Sequence, residues 1–166
     1  MEYTSYIENQ EKYFKNGKTL PISKRKKLLK NLKKEILSNE DKIFRALNND
    51  LRKSNYETYL SEIGILITEI DLFLKNIEKW AKPKKVKSSL LSFPSSDYIY
   101  SEPYGKVLVI SPWNYPFQLA ILPVMSAVAA GNTVVLKPSE HAPHTSKLVK
   151  EIVESDRYWK VQQKIK

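Results

Sequence analysis

Two short aliphatic runs, Lys106-Val-Leu-Val-Ile110 and Asn132-Thr-Val-Val-Leu-Lys137, bracket an almost uninterrupted apolar stretch from Phe117 to Ala130. This order constrains the chain more than any other feature. Each aliphatic run is bounded by turn residues and reads as a buried strand, and the stretch between them is long enough for a helix. Gly131 closes that helix as the residue after its C-cap, and Pro123 is expected to bend it. A further helix over 144–154 turns Leu148, Val149, Ile152 and Val153 inward. The pattern is β-α-β-α with short connections, and near-continuous Val/Ile/Leu strands point to parallel pairing with a right-handed crossover. The expected fold class is therefore α/β: N-terminal helices, then the opening of a doubly wound, Rossmann-like sheet. Two strands do not complete such a sheet, and a helix this apolar requires cover on more than one side.

Upstream of residue 97 the periodicity is helical. Between Lys24 and Leu47 the apolar positions Leu28, Leu29, Leu32, Ile36, Ile43, Phe44 and Leu47 fall mainly three, four or seven apart, with Ser23 as the expected N-cap. A cleaner stripe runs from Tyr56 to Lys79 through Leu60, Ile63, Leu66, Ile67, Ile70, Phe73, Leu74 and Ile77, and Gly64 within it permits a close neighbour. Pro83 ends the stripe, and 82–87 reads as a basic, exposed linker. The expected organisation is a helical region with linker over 1–97, the start of a dinucleotide-binding domain over 98–155, and a divergent polar tail over 156–166.

Composition excludes several chemistries. The 166 residues contain no cysteine, so disulfides, thiolate metal sites and thiolate nucleophiles are ruled out for this sequence. The net charge is +10, from 28 basic and 18 acidic residues. Seven of the basic groups, Lys24, Arg25, Lys26, Lys27, Lys30, Lys33 and Lys34, form one cluster, expected to lie mostly on the solvated face of a helix. Nucleic acid or an anionic lipid surface is an alternative partner for that face, although base and phosphate recognition favour arginine and only four residues are arginine. The polar, acidic start carries no signal-peptide pattern, and 117–130 is too short to span a bilayer. The expected location is cytoplasmic.

Two segments sit where an α/β sheet places its chemistry, beyond the carboxyl ends of the strands. Ser111-Pro-Trp-Asn-Tyr-Pro-Phe117 follows the first strand and Lys137-Pro-Ser-Glu140 the second. Asn114 offers an uncharged amide donor in a proline-bracketed turn, as an oxyanion requires, yet the same residue suits a purely structural turn. Lys137 and Glu140 suit the vicinal hydroxyls of a ribose, one donating and one accepting, and equally suit a surface ion pair. The Gly-x-Gly-x-x-Gly phosphate loop is absent.

The segments Pro103-Tyr-Gly-Lys-Val-Leu-Val-Ile-Ser-Pro-Trp-Asn-Tyr-Pro-Phe117 and Ala129-Ala-Gly-Asn-Thr-Val-Val-Leu-Lys-Pro-Ser-Glu140 resemble the aldehyde dehydrogenase superfamily. The Trp-Asn-Tyr-Pro form, the run Ala46-Leu-Asn-Asn-Asp-Leu-Arg-Lys-Ser54, Glu62 and Trp80 are similar to its class 3 branch, which acts on fatty and medium-chain aldehydes. The resemblance covers about residues 1–155 and implies NAD(P)-dependent oxidation of an aldehyde to a carboxylic acid. It gives Asn114 the role of oxyanion donor and places Ser111, Pro112 and Trp113 along the cofactor cleft. It sets Lys137 and Glu140 at the adenosine ribose and Tyr115 at the aldehyde pocket. A glutamate at the ribose disfavours a 2′-phosphate, which makes NAD the expected cofactor over NADP.

The same resemblance exposes a deficit. The family's reaction needs a cysteine thiolate, and its general base lies in a Glu-Leu-Gly-Gly segment; this sequence contains neither. The expectation is a truncated aldehyde dehydrogenase, silent alone and binding the cofactor weakly or not at all. The alternatives are one half of a split enzyme completed by a second chain, and a basic binding module. Uncovered strand edges also lead to an expectation of self-association.

Overall fold

The computed structural model describes residues 2–154 and 160–161. Helix α1 (Glu2–Lys15) leads to α2 (Ile22–Ser38) and α3 (Glu40–Leu51). The short α4 (Asn55–Thr58) passes through a π-helical turn, Tyr59–Ile63, into α5 (Gly64–Trp80). Strands β1 (Lys84–Val86) and β2 (Asp97–Ile99) pair antiparallel. Then come β3 (Lys106–Ile110), α6 (Gln118–Ala129), β4 (Thr133–Lys137), α7 (Pro143–Glu154) and the two-residue β5 (Lys160–Val161). Strands β3, β4 and β5 form a parallel sheet in that order, with Lys106 opposite Thr133 and Ile110 opposite Lys137.

The α/β class and the parallel strands are as expected, and the differences have local causes. The patterned run 24–47 is two helices, because Asn39 serves both ends. Its amide group and backbone N–H donate back to the Glu35 carbonyl, while its own carbonyl accepts from Lys42 and Ile43. Glu40 and Asp41 then occupy the first turn of α3, where the helix dipole favours acids. Ser23 is not the N-cap of α2: Pro21 stands there, its fixed φ already suited to helix entry, and its carbonyl accepts from Lys24 and Arg25. The 82–87 segment is exposed as expected but contributes β1 to a two-stranded sheet. The polar tail contains β5; the rest of 155–166 lies outside the described residues.

Helix α6 is the centre of the core. Phe117, Ala120, Ile121, Val124 and Met125 are fully buried, with α2 and α5 packed on it as well as β3 and β4. The cover that this helix demands thus comes from the N-terminal helices, through Leu29, Ile36, Leu66 and Ile70. The sheet is where cover is missing: Leu108 and Ile110 on β3 remain 58% and 64% exposed. Among the described residues, no helix is long and apolar enough to cross a membrane.

Candidate functional site

The carboxyl ends of β3 and β4 are tied directly: the Ser111 N–H donates to the Lys137 carbonyl at 3.1 Å, which sets the two candidate loops side by side. The amino ends of the same strands are clamped as well. Asn132 Oδ1 accepts from the Gly105 N–H at 2.8 Å, and Thr133 donates its N–H to the Gly105 carbonyl. Gly105 has φ +106, and a Cβ there would stand 3.2 Å from the Phe14 ring, so α1 packs where only glycine leaves room.

In the first loop Ser111 is buried, with its hydroxyl unpartnered, whereas Pro112, Trp113, Asn114 and Tyr115 are exposed. Among the described residues, none engages the Asn114 side-chain amide, which leaves its donors available. In the second loop Lys137 Nζ donates to Glu140 Oε2 at 2.5 Å. That hydrogen bond, followed by a backbone contact, holds the Glu140 carboxyl below its ordinary range. The loop itself is braced from α7 and α3. Ser146 Oγ donates to the Ser139 carbonyl at 2.6 Å, and Asp50 accepts from the His144 and Thr145 N–H groups at the start of α7.

Sequence reasoning assigned no role to the residues beneath the first loop. Lys53 and Glu62 form an ion pair of 2.6 Å with side chains 8% and 0% exposed. Lys53 Nζ also donates to the Asn114 carbonyl at 3.2 Å and lies 4.0 Å from the centre of the Tyr115 ring. Glu62 Oε2 accepts from the N–H groups of Phe117 and Gln118, at 2.9 and 3.1 Å, where α6 begins. Burial of both charges is affordable because each is paired and hydrogen-bonded. Both lie in the stretch that resembles the class 3 branch, but nothing in the sequence pairs them with each other or with the Asn114 loop.

The basic cluster is less solvated than expected. Arg25 is buried and donates to the carbonyls of Thr19, Leu20 and Ala129. Lys26 and Lys33 pair with Glu78 and Asp71 of α5. Among the described residues, no group of three or more His, Asp and Glu is arranged to hold a metal.

For a dinucleotide, the residues present fit one end. Lys137 and Glu140 place a donor and an acceptor beside each other, as two adjacent hydroxyls require, and Ser111 keeps an uncommitted buried hydroxyl nearby on the adjoining loop. The loop carrying Asn114 opens beside them.

Known proteins share this chain's sequence and fold. Residues 1–156 match the sequence model of the aldehyde dehydrogenase family. The chain is 45% identical over 141 residues to the 4,4′-diaponeurosporen-aldehyde dehydrogenase of Staphylococcus aureus, covering 85% of this chain and 31% of that protein. It is 43% identical over 153 residues to aldehyde dehydrogenase family 3 member H1 of Arabidopsis thaliana, covering 92% and 32%. The solved substrate-bound state of Staphylococcus aureus AldH superposes with a TM-score of 0.95 at 39% identity, over 98% of this chain and 36% of that one. The chain spans about a third of the length of these relatives. Over residues 1–156 the chain belongs to the aldehyde dehydrogenase family.

Proposed function

We propose that this chain supplies the oxyanion-donor loop and the ribose end of the cofactor cleft for NAD(P)-dependent oxidation of an aldehyde to a carboxylic acid. The observation that carries the proposal is the pairing of the two loops at the carboxyl ends of adjacent parallel strands, with the Asn114 amide unengaged in one and the Lys137–Glu140 pair in the other. When a nucleophile attacks an aldehyde, the carbonyl oxygen gains negative charge, and the Asn114 amide would donate to it. Lys137 and Glu140 would hold the adenosine ribose, with Ser111, Pro112 and Trp113 along the cleft and Tyr115 toward the aldehyde. NAD(P) would supply the hydride acceptor, and the Glu140 carboxylate favours NAD over its 2′-phosphorylated form.

The attacking atom is not in these residues. With no cysteine, the chain alone has no thiolate to bind the carbonyl carbon, so it is silent by itself. A complementing polypeptide would have to bring the nucleophile and the general base, and the exposed Leu108 and Ile110 offer an apolar surface for it. The alternative use of the basic cluster on nucleic acid or anionic lipid draws less support, since Arg25 is buried and Lys26 and Lys33 are already paired.

The test is aldehyde-dependent reduction of NAD, first by the purified chain and then by the chain co-expressed with the remaining two thirds of the Staphylococcus aureus relative. No turnover is expected alone, and turnover is expected from the pair. Asn114→Ala should lower the rate of the pair by about 10²–10³-fold, the usual loss for one oxyanion donor. Turnover by the chain alone, or an N114A pair working at the unsubstituted rate, would overturn the proposal.

A further inference from the structure

The loop that bears Asn114 has no regular structure of its own between β3 and α6, so something outside it must fix its shape. Two irregularities of the N-terminal helices converge on it. Arg52, which is not glycine, ends α3 in the left-handed region at φ 57, and this reversal delivers the next residue, Lys53, inward. Seven residues after Arg52 begins the π-helical turn Tyr59–Ile63, whose extra residue per turn rotates Glu62 into the interior. Left-handed non-glycine residues and π-turns are disfavoured and persist where the surroundings require them. Here the side chains they deliver, Lys53 and Glu62, grip the loop at its middle and at its α6 end.

We propose that Lys53 and Glu62 are positioning residues for Asn114: Lys53 holds the loop at the Asn114 carbonyl and the Tyr115 ring, and Glu62 holds it at the Phe117 and Gln118 N–H groups. The assignment rests on Asn114 being the oxyanion donor. Neither residue needs to touch substrate. Lys53 fixes the backbone from which the Asn114 amide projects, at 3.2 Å, and its cation sits over the Tyr115 ring. Glu62 uses one oxygen on Lys53 and the other on the two N–H groups that open α6, where a carboxylate is favoured by the exposed amides of a helix start. The pair is electrically self-contained, so the loop gains a rigid support while the site above gains no net charge. An oxyanion donor works only when it is held in place before charge develops.

The experiment is an amide-resolved magnetic resonance study of the 166-residue chain, comparing hydrogen exchange at Phe117 and Gln118 and the backbone amide signals of Asn114 and Tyr115. In Glu62→Gln, exchange at both N–H groups should accelerate by about tenfold or more, as charge-assisted bonds weaken. The Asn114 and Tyr115 backbone amide signals should move toward those of a mobile loop, while exchange at Leu29 and Ile70 in the core holds. Lys53→Met should shift the same Asn114 signals, and Lys53→Arg, which keeps the cation, should restore them. If a lone buried charge unfolds either single variant, the double variant K53M/E62L removes both charges and should keep the core while freeing the loop. Asn114 signals unchanged in the folded variants, or changed no more than the core, would overturn the positioning role. Failure of N114A to slow the co-expressed enzyme would instead remove the oxyanion assignment, so the two ideas fail by different measurements.

Discussion

The guanidinium of Arg25 lies directly against Gly131, so that a Cβ on the glycine would stand 3.0 Å from Arg25 Cζ and Nη2. Gly131 also has φ +93, a conformation that side chains resist. The last turn of α6, the start of β4 and the loop before α2 therefore meet at one point. Gly131→Ala is expected to cost about 1–3 kcal/mol from backbone strain alone, with the guanidinium displaced as well. The urea midpoint of G131A measures it, and an unchanged midpoint would show that this contact has slack.

Arg25 bonds three carbonyls, two in the 19–20 loop and one at the end of α6. Arg25→Met keeps much of the stem but leaves those carbonyls without the cation, at an expected cost of about 2–3 kcal/mol. Denaturation by urea would read this loss. A cost within the error of a surface substitution would mean that water takes over the carbonyls.

Glu11 accepts from Lys106 at 2.7 Å and from Lys15 at 2.8 Å, and joins α1 to β3. The hydrogen bond from Lys106, then that from Lys15, holds its carboxyl at about 2 instead of the ordinary 4.5. A carboxyl lowered on folding stabilises fully above its unfolded value and loses that contribution as pH falls through the folded one. The attachment of α1 should therefore loosen as pH drops from about 4.5 toward about 2. Hydrogen exchange across α1 should show this in the native chain and not in Glu11→Gln; the same pH dependence in both would clear Glu11 of the effect.

Asp50 on α3 caps a helix 94 residues away, accepting from the His144 N–H at 3.1 Å and the Thr145 N–H at 2.7 Å. Asp50→Ala should cost about 1 kcal/mol, the usual value of an N-cap, and exchange at His144 and Thr145 should quicken. Equal exchange in the two proteins would place the cap elsewhere.

Leu108 and Ile110 project from β3 into solvent as an uncovered apolar surface. Replacing both with lysine should change stability by less than about 0.5 kcal/mol each, because neither is packed. The same change should shift sedimentation toward the monomer if this face drives self-association. A large loss of stability would show that these side chains are covered in solution.

Much of this protein is legible in its sequence because the decisive signals are local. The aliphatic runs at 106–110 and 132–137 read as strands, Gly131 marks the end of α6, and the loops holding Asn114 and Lys137–Glu140 follow from where the strands stop. The inward positions of α7 follow in the same way, since helix periodicity reads one face without reference to any neighbour. The fate of individual charges is another matter. Arg25 stands among six lysines in a cluster that looks solvated, yet it is buried by a carbonyl 104 residues later. Lys53 and Glu62 meet each other across nine residues and meet the Asn114 loop across 61 and 55. A charge becomes buried only when its partners arrive in space, and partners so distant along the chain leave no periodic trace near it. Sequence thus determined where the candidate loops lie and which residue types they offer. Tertiary structure alone decided what holds that site still, because only packing brings the two ends of the support together.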